Sequence, residues 1–260
     1  MDTLVEISSY SPDRINAKKA IDEAFKEIGR IEKVFSKFDK DSEVSKINAS
    51  TGKSEVVVSP EMFRLLEDAI FYSKLSEGAF DVTVEPFKKG RYEKIKLNKG
   101  NSSVQFLEAD IKLDFGGIAK GYAVMKAKEI LASRGIKSGL INIGGNIFAL
   151  GTPPGKDAWR IGIRDPDNKS RVIKVLHLKD RAISTSADYE RPSHIIDPAT
   201  GLPVKKIRSV TVVADSAERA DALSTAFFVM GKENALKLAR AIGDIELYII
   251  DNDGKIISYP

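Results

Sequence analysis

The chain has no cysteine and only two histidines, His177 and His194. That excludes disulfides, iron–sulfur clusters, thiolate-bound zinc and cysteine nucleophiles, and any histidine-rich transition-metal centre. No apolar run approaches the roughly 20 residues that cross a bilayer as a helix, so no membrane span is expected. The start, Met1-Asp-Thr-Leu-Val-Glu6, has neither the basic nor the apolar region of a signal peptide. As given, the chain is expected in the cytoplasm; a trimmed mature form would instead belong in the periplasm or on a membrane anchor. An excess of one charge is missing too. The 41 basic and 37 acidic residues leave +4, too small and scattered a surplus to argue for nucleic acid.

The 260 residues, 42% hydrophobic and 30% charged, are those of an ordinary globular protein able to bury one large core or two smaller ones. Residues 3–8 alternate as a strand. Ser11-Pro12 reads as an N-cap with proline at the first helical position, and Ile21, Ala24, Phe25, Ile28, Ile31, Phe35 and Phe38 recur at helical spacing. Residues 39–52 read as polar and turn-rich. Ser59-Pro60 starts a second helix that Gly78 ends, followed by short strands with a turn at 98–102. Gly116-Gly117 opens a helix ending at Gly135. Short strands are expected at 140–143, 147–150, 159–163, 172–178 and 182–184. Asp215-Ser-Ala-Glu218 resembles a capping box for a helix through Met230, a further helix runs from about Glu233, and a hairpin through Asn252-Asp-Gly254 closes the chain. Helices and mainly antiparallel strands in separate runs imply an α+β fold. No linker, repeat or low-complexity segment divides it.

Asp221-Ala-Leu-Ser-Thr225 places a carboxylate and a hydroxyl one helical turn apart, on one face. Such oxygens suit Mg²⁺, which takes one or two carboxylates and completes its shell with water and phosphate. Alone, the pair reads more readily as a helix carboxylate and a threonine bonded to its own backbone, and other motifs are needed to favour the metal. Gly116-Gly-Ile-Ala-Lys-Gly121 is neither a Walker A loop nor a dinucleotide fingerprint. It could be a plain strand-to-helix turn, or a helix start that takes phosphate with Lys120 beside it. A lone histidine is more often structural than catalytic, yet imidazole's ordinary pKa of about 6.5 suits general-base work, which keeps His194 in view. Phe80 reads by default as core, and Asp81 as a turn or cap.

Taken in order, Gly78-Ala-Phe-Asp-Val-Thr83, Asp114-Phe-Gly-Gly-Ile-Ala-Lys-Gly-Tyr122, Asn142-Ile-Gly-Gly-Asn146, Ser184-Thr-Ser-Ala-Asp-Tyr-Glu-Arg191, Ser193-His-Ile-Ile-Asp-Pro-Ala-Thr-Gly201 and Asp221-Ala-Leu-Ser-Thr225 resemble the FAD:protein FMN transferase (ApbE-like flavin transferase) family. The resemblance covers essentially the whole chain. It implies one domain, residues 1–260, of two intimately packed lobes with antiparallel sheets and flanking helices. It implies FAD as substrate, Mg²⁺ as cofactor, and an acceptor flavoprotein whose Ser or Thr receives FMN through a phosphoester as AMP leaves. By the same resemblance His194 is the base; Met1, Phe38, Ala79, Phe80, Asp81, Asp114, Lys120, Thr185 and Ile196 contact FAD; and the Gly117 carbonyl, Asp221 and Thr225 hold the metal. Ser186 is a further possible hydrogen-bond donor. Alternatives are Mg²⁺-dependent hydrolysis of FAD to FMN and AMP, or FAD binding and trafficking without turnover. The chain departs from the family between Pro86 and Asp114, where many relatives are longer; a shorter flap would leave the site more open.

Overall fold

The computed structural model describes residues 3–50, 54–84, 89–168, 170–188 and 193–260. In chain order the helices are α1 (Arg14–Phe35), α2 (Glu43–Ala49), α3 (Pro60–Leu75), α4 (Ala119–Ser133), α5 (Ala217–Met230) and α6 (Lys232–Ile242). The strands are β1 (Val5–Tyr10), β2 (Val56–Val57), β3 (Ile95–Asn98), β4 (Ser103–Phe106), β5 (Ser138–Ile143), β6 (Asn146–Leu150), β7 (Trp159–Arg164), β8 (Val172–Leu178), β9 (Arg181–Ala187), β10 (Ser209–Ala214), β11 (Glu246–Ile250) and β12 (Ile256–Tyr259). This is the α+β arrangement expected, built on an antiparallel sheet ordered β1-β5-β6-β9-β10-β11-β12.

One face of that sheet carries α4 and α5, with α1 packed outside α4. The β7–β8 hairpin covers the other face, where Ile161, Ile163, Leu176 and Leu178 meet Ile183, Val213 and Tyr248. A second lobe is formed by α2, α3 and the small sheet β2-β4-β3. Its Val44, Ile47, Met62, Val104 and Phe106 join Val210, Val212, Phe227 and Leu247 of the large lobe in one continuous apolar cluster. The lobes therefore share a core, and the loops between them are held on both sides.

Four local readings are corrected. The cap of α1 is Asp13, whose carboxylate accepts the Asn16 N–H at 2.9 Å, rather than Ser11. That helix stops at Phe35, and Phe38 is 86% exposed, outside the apolar stripe. The polar stretch after it contains α2, capped by Ser42 and too short to show much periodicity. The strand β10 was not anticipated, although Ser209-Val-Thr-Val-Val-Ala214 is rich in β-branched residues. It is buried on both faces and so shows no alternation of apolar and polar residues.

Candidate active site

The site forms where α4 and α5 cross. Gly121 makes that crossing close, since a Cβ there would lie 2.2 Å from the Ala217 carbonyl oxygen. The approach lets the Gly121 N–H donate to Asp221 Oδ2 at 3.0 Å. Asp221 is 3% exposed, and the charged Lys120 lies beside it, with Nζ 3.4 Å from Oδ1. Lys120 also donates to the Gly116 carbonyl at 2.6 Å, so it straps the glycine turn to the buried carboxylate.

One turn along α5, Thr225 faces the same turn. A Cβ on Gly117 would lie 3.2 Å from Thr225 Oγ1 and 3.1 Å from Phe80 Cε2, so Gly117, Thr225 and the Phe80 ring converge. The α4 helix itself begins at Ala119, leaving Gly116 and Gly117 in the turn before it. Asp114 orders that turn by accepting the Gly116 N–H at 2.8 Å, and its other oxygen takes Lys37 Nζ at 2.6 Å. Lys37 in turn lies 5.3 Å from the centroid of the exposed Phe38 ring.

The turn of Ala79, Phe80 and Asp81 follows α3 through Glu77 and Gly78, both at positive φ. Ser76 Oγ accepts the Phe80 N–H at 2.9 Å. Asp81 spends its oxygens on its own loop, accepting from Thr83 N–H and Oγ1–H at 2.7 Å each and from Tyr92 N–H at 3.1 Å. Burial pushes its carboxyl up, against the lowering effect of those bonds. Gly90 wedges between Asp81 and Pro198, where a Cβ would lie 2.3 Å from Asp81 Oδ2, and its N–H donates to the Pro198 carbonyl at 3.1 Å.

Pro198 belongs to the hairpin that carries the candidate base. The Ile196–Pro203 bridge and the Val204 N–H to Ile195 carbonyl bond at 3.0 Å close it. Ile196 is buried, while His194 stands exposed on the hairpin arm. Lys206 ties the hairpin to α5, reaching Asp197 Oδ2 at 3.2 Å and the Val229 carbonyl at 2.9 Å.

The structure thus brings together Gly117, Lys120, Asp221, Thr225 and Phe80, with Asp114 at the edge of the cluster and the Asp81 and His194 segments joined through Gly90. It places Thr185 on the opposite face of the sheet, bonded to Thr211 at 2.9 Å. The hydroxyls facing α5 are those of Ser184 and Ser186, each bonded to Ser224. Met1 lies outside the described residues. Lys37, Gly90, Gly121 and Ser224 are absent from the residues expected from sequence; of these, Gly121 and Ser224 sit inside motifs that could have flagged them.

Among the described residues no group of three or more His, Cys, Asp and Glu gathers as a metal cluster. The α4–α5 crossing offers something else: one buried carboxylate, one hydroxyl and a backbone turn that abuts it. An all-oxygen set with a single carboxylate fits Mg²⁺, whose remaining positions go to water and phosphate.

The ApbE family model matches residues 1–249. The FAD:protein FMN transferase of Treponema pallidum is 31% identical over an alignment of 301 residues, covering 98% of this chain and 83% of that protein. That alignment is longer than this chain, so the relative carries extra residues along it. The FAD:protein FMN transferase of Vibrio cholerae is 31% identical, covering 86% of this chain and 77% of the relative. Among solved structures, the flavin transferase ApbE from Vibrio cholerae superposes with a TM-score of 0.88 at 29% identity, covering 100% of this chain and 94% of that one. The ApbE protein from Thermotoga maritima gives a TM-score of 0.88 at 31% identity, covering 98% and 96%.

Proposed function

The chain belongs to the ApbE family of FAD:protein FMN transferases, and from that premise we propose how its residues carry the reaction. The hydroxyl of a Ser or Thr on an acceptor flavoprotein attacks the flavin-side phosphorus of FAD. A phosphoester forms, the P–O bond of the anhydride breaks, AMP leaves, and the hydroxyl proton passes to His194. Protein alcohols are weak nucleophiles until a base takes that proton. An exposed histidine on a hairpin arm can meet a macromolecular acceptor, as this step requires.

Asp221, Thr225 and the Gly117 carbonyl would hold Mg²⁺, which when bound neutralises pyrophosphate charge. Lys120 adds a positive charge beside that centre. Asp114 and Asp81 shape the two turns that receive FAD, Phe80 supplies an apolar wall, and Phe38 and Ile196 lie on segments that would flank the flavin. The observation that carries this reading is the buried Asp221 carboxylate at the α4–α5 crossing, one turn from a hydroxyl that abuts the Gly116-Gly117 turn. Burying a carboxylate is costly unless a cation or hydrogen bonds compensate it.

Intact-mass analysis of an acceptor peptide after incubation with FAD and Mg²⁺ tests the proposal. A gain equal to one FMN residue supports transfer. AMP release with unmodified peptide makes the protein a hydrolase, and retained FAD without AMP makes it a carrier.

A further inference from the structure

We infer that Ser186, acting with Ser224, is a positioning residue that fixes the direction of the Thr225 hydroxyl, an inference resting on the metal-assisted reading above. Behind Thr225 runs a buried chain of hydroxyls joining β9 to α5. Ser224 Oγ lies 3.0 Å from the Asp221 backbone carbonyl, 3.1 Å from Ser184 Oγ and 2.9 Å from Ser186 Oγ. Ser186 Oγ lies 3.5 Å from Thr225 Oγ1. Ser224 is fully buried and Ser186 is 9% exposed, so water is largely kept from the chain.

The order of protons follows from what each group can do. A hydroxyl has one hydrogen and two lone pairs, whereas a carbonyl only accepts. All three Ser224 contacts are hydrogen bonds in one assignment: Ser224 donates to the Asp221 carbonyl and accepts from both Ser184 and Ser186. Ser186 has then used its hydrogen and presents only lone pairs to Thr225. The Thr225 hydrogen therefore turns toward Ser186, and its lone pairs turn away from β9. A hydroxyl ligates a hard cation through a lone pair, and one whose hydrogen faced the cation would repel it. The chain thus pre-orients Thr225 as an acceptor, and its far end is the backbone of Asp221, the other ligand on α5.

Mn²⁺ titrated into the 260-residue chain, with ADP supplying a diphosphate that cannot transfer FMN, reads this by electron paramagnetic resonance. Ser186→Ala and Ser224→Ala should each weaken Mn²⁺ binding about tenfold, the scale at which partners behind a metal ligand act. Ser186→Thr, which keeps the hydroxyl, should restore it. In a Thr225→Val background Ser186→Ala should cost nothing further. Unchanged binding in both alanine variants, or an equal further loss in the Thr225→Val background, overturns the inference and leaves Ser186 as a clamp between β9 and α5. Failure of the wild-type chain to bind Mn²⁺ overturns the metal-assisted reading itself, and this inference with it.

Discussion

Asp221 and His194 are opposites in setting, and their substitutions should separate accordingly. Asp221 is buried and takes a backbone N–H on one oxygen. Asparagine at that position keeps an acceptor for Gly121 but loses the charge. Asp221→Asn should therefore fold normally and lose Mg²⁺-dependent AMP release by at least roughly a hundredfold, comparable with losing a principal electrostatic group. Wild-type release at limiting Mg²⁺ would remove Asp221 from the metal site. His194 is exposed, so His194→Ala should change stability little. FAD and Mg²⁺ binding should persist while FMN transfer slows by about 10²–10⁴, the range of a lost general base; a parallel loss of FAD affinity would mark His194 as pocket wall instead. At this scale the sequence indicated proximity along a helix better than direction across a strand. Asp221 and Thr225 were legible because helical spacing fixes their shared face. Thr185 was not, because β9 is covered on both sides, and nothing in Ser184-Thr-Ser186 says which side faces α5.

Secondary structure positions these groups through two glycine contacts. At Gly121 the backbones of α4 and α5 approach so closely that a Cβ would overlap the Ala217 carbonyl. Gly121→Ala must push the helices apart, and the bond from Gly121 N–H to Asp221 stretches with them. Overpacking of this kind costs about 1–3 kcal/mol. Chemical denaturation should show that loss, and the same variant should bind Mg²⁺ more weakly. Normal metal affinity in a destabilised protein would show that the site does not depend on the crossing. A polar residue before proline marked the helix start at Ser59, which caps α3 with Pro60 at its first position, but not at Ser11-Pro12, where Asp13 is the cap of α1. The start of α5 is shifted by one residue, since Ser216 rather than Asp215 bonds the Arg219 N–H. The contacts that build the site, such as Gly90 between Asp81 and Pro198, join residues far apart in the chain. Their residue types carried no signal of that meeting.

For the whole molecule, stability responds to a buried acid, Glu218, that the proposed chemistry does not use. Glu218, in the first turn of α5, is 9% exposed. Burial first, then the charge of Asp68 and a hydrogen bond with it, push its carboxyl from 4.5 up to about 7, while Arg64 and Lys126 oppose the rise. In the unfolded chain Glu218 releases its proton at its ordinary value; in the folded chain it holds it to near neutrality. Between those limits the folded state binds more protons, so this group's contribution to stability falls as pH rises and levels off above about 7. Glu218→Gln keeps the shape and has no carboxyl to ionise. Its melting temperature relative to wild type should therefore rise between about pH 5 and pH 8, as the wild-type contribution is lost. Because one apolar cluster spans both lobes, the effect should appear as a shift of the main unfolding transition. A difference that stays constant with pH would show that Glu218 is already ionised in the folded protein.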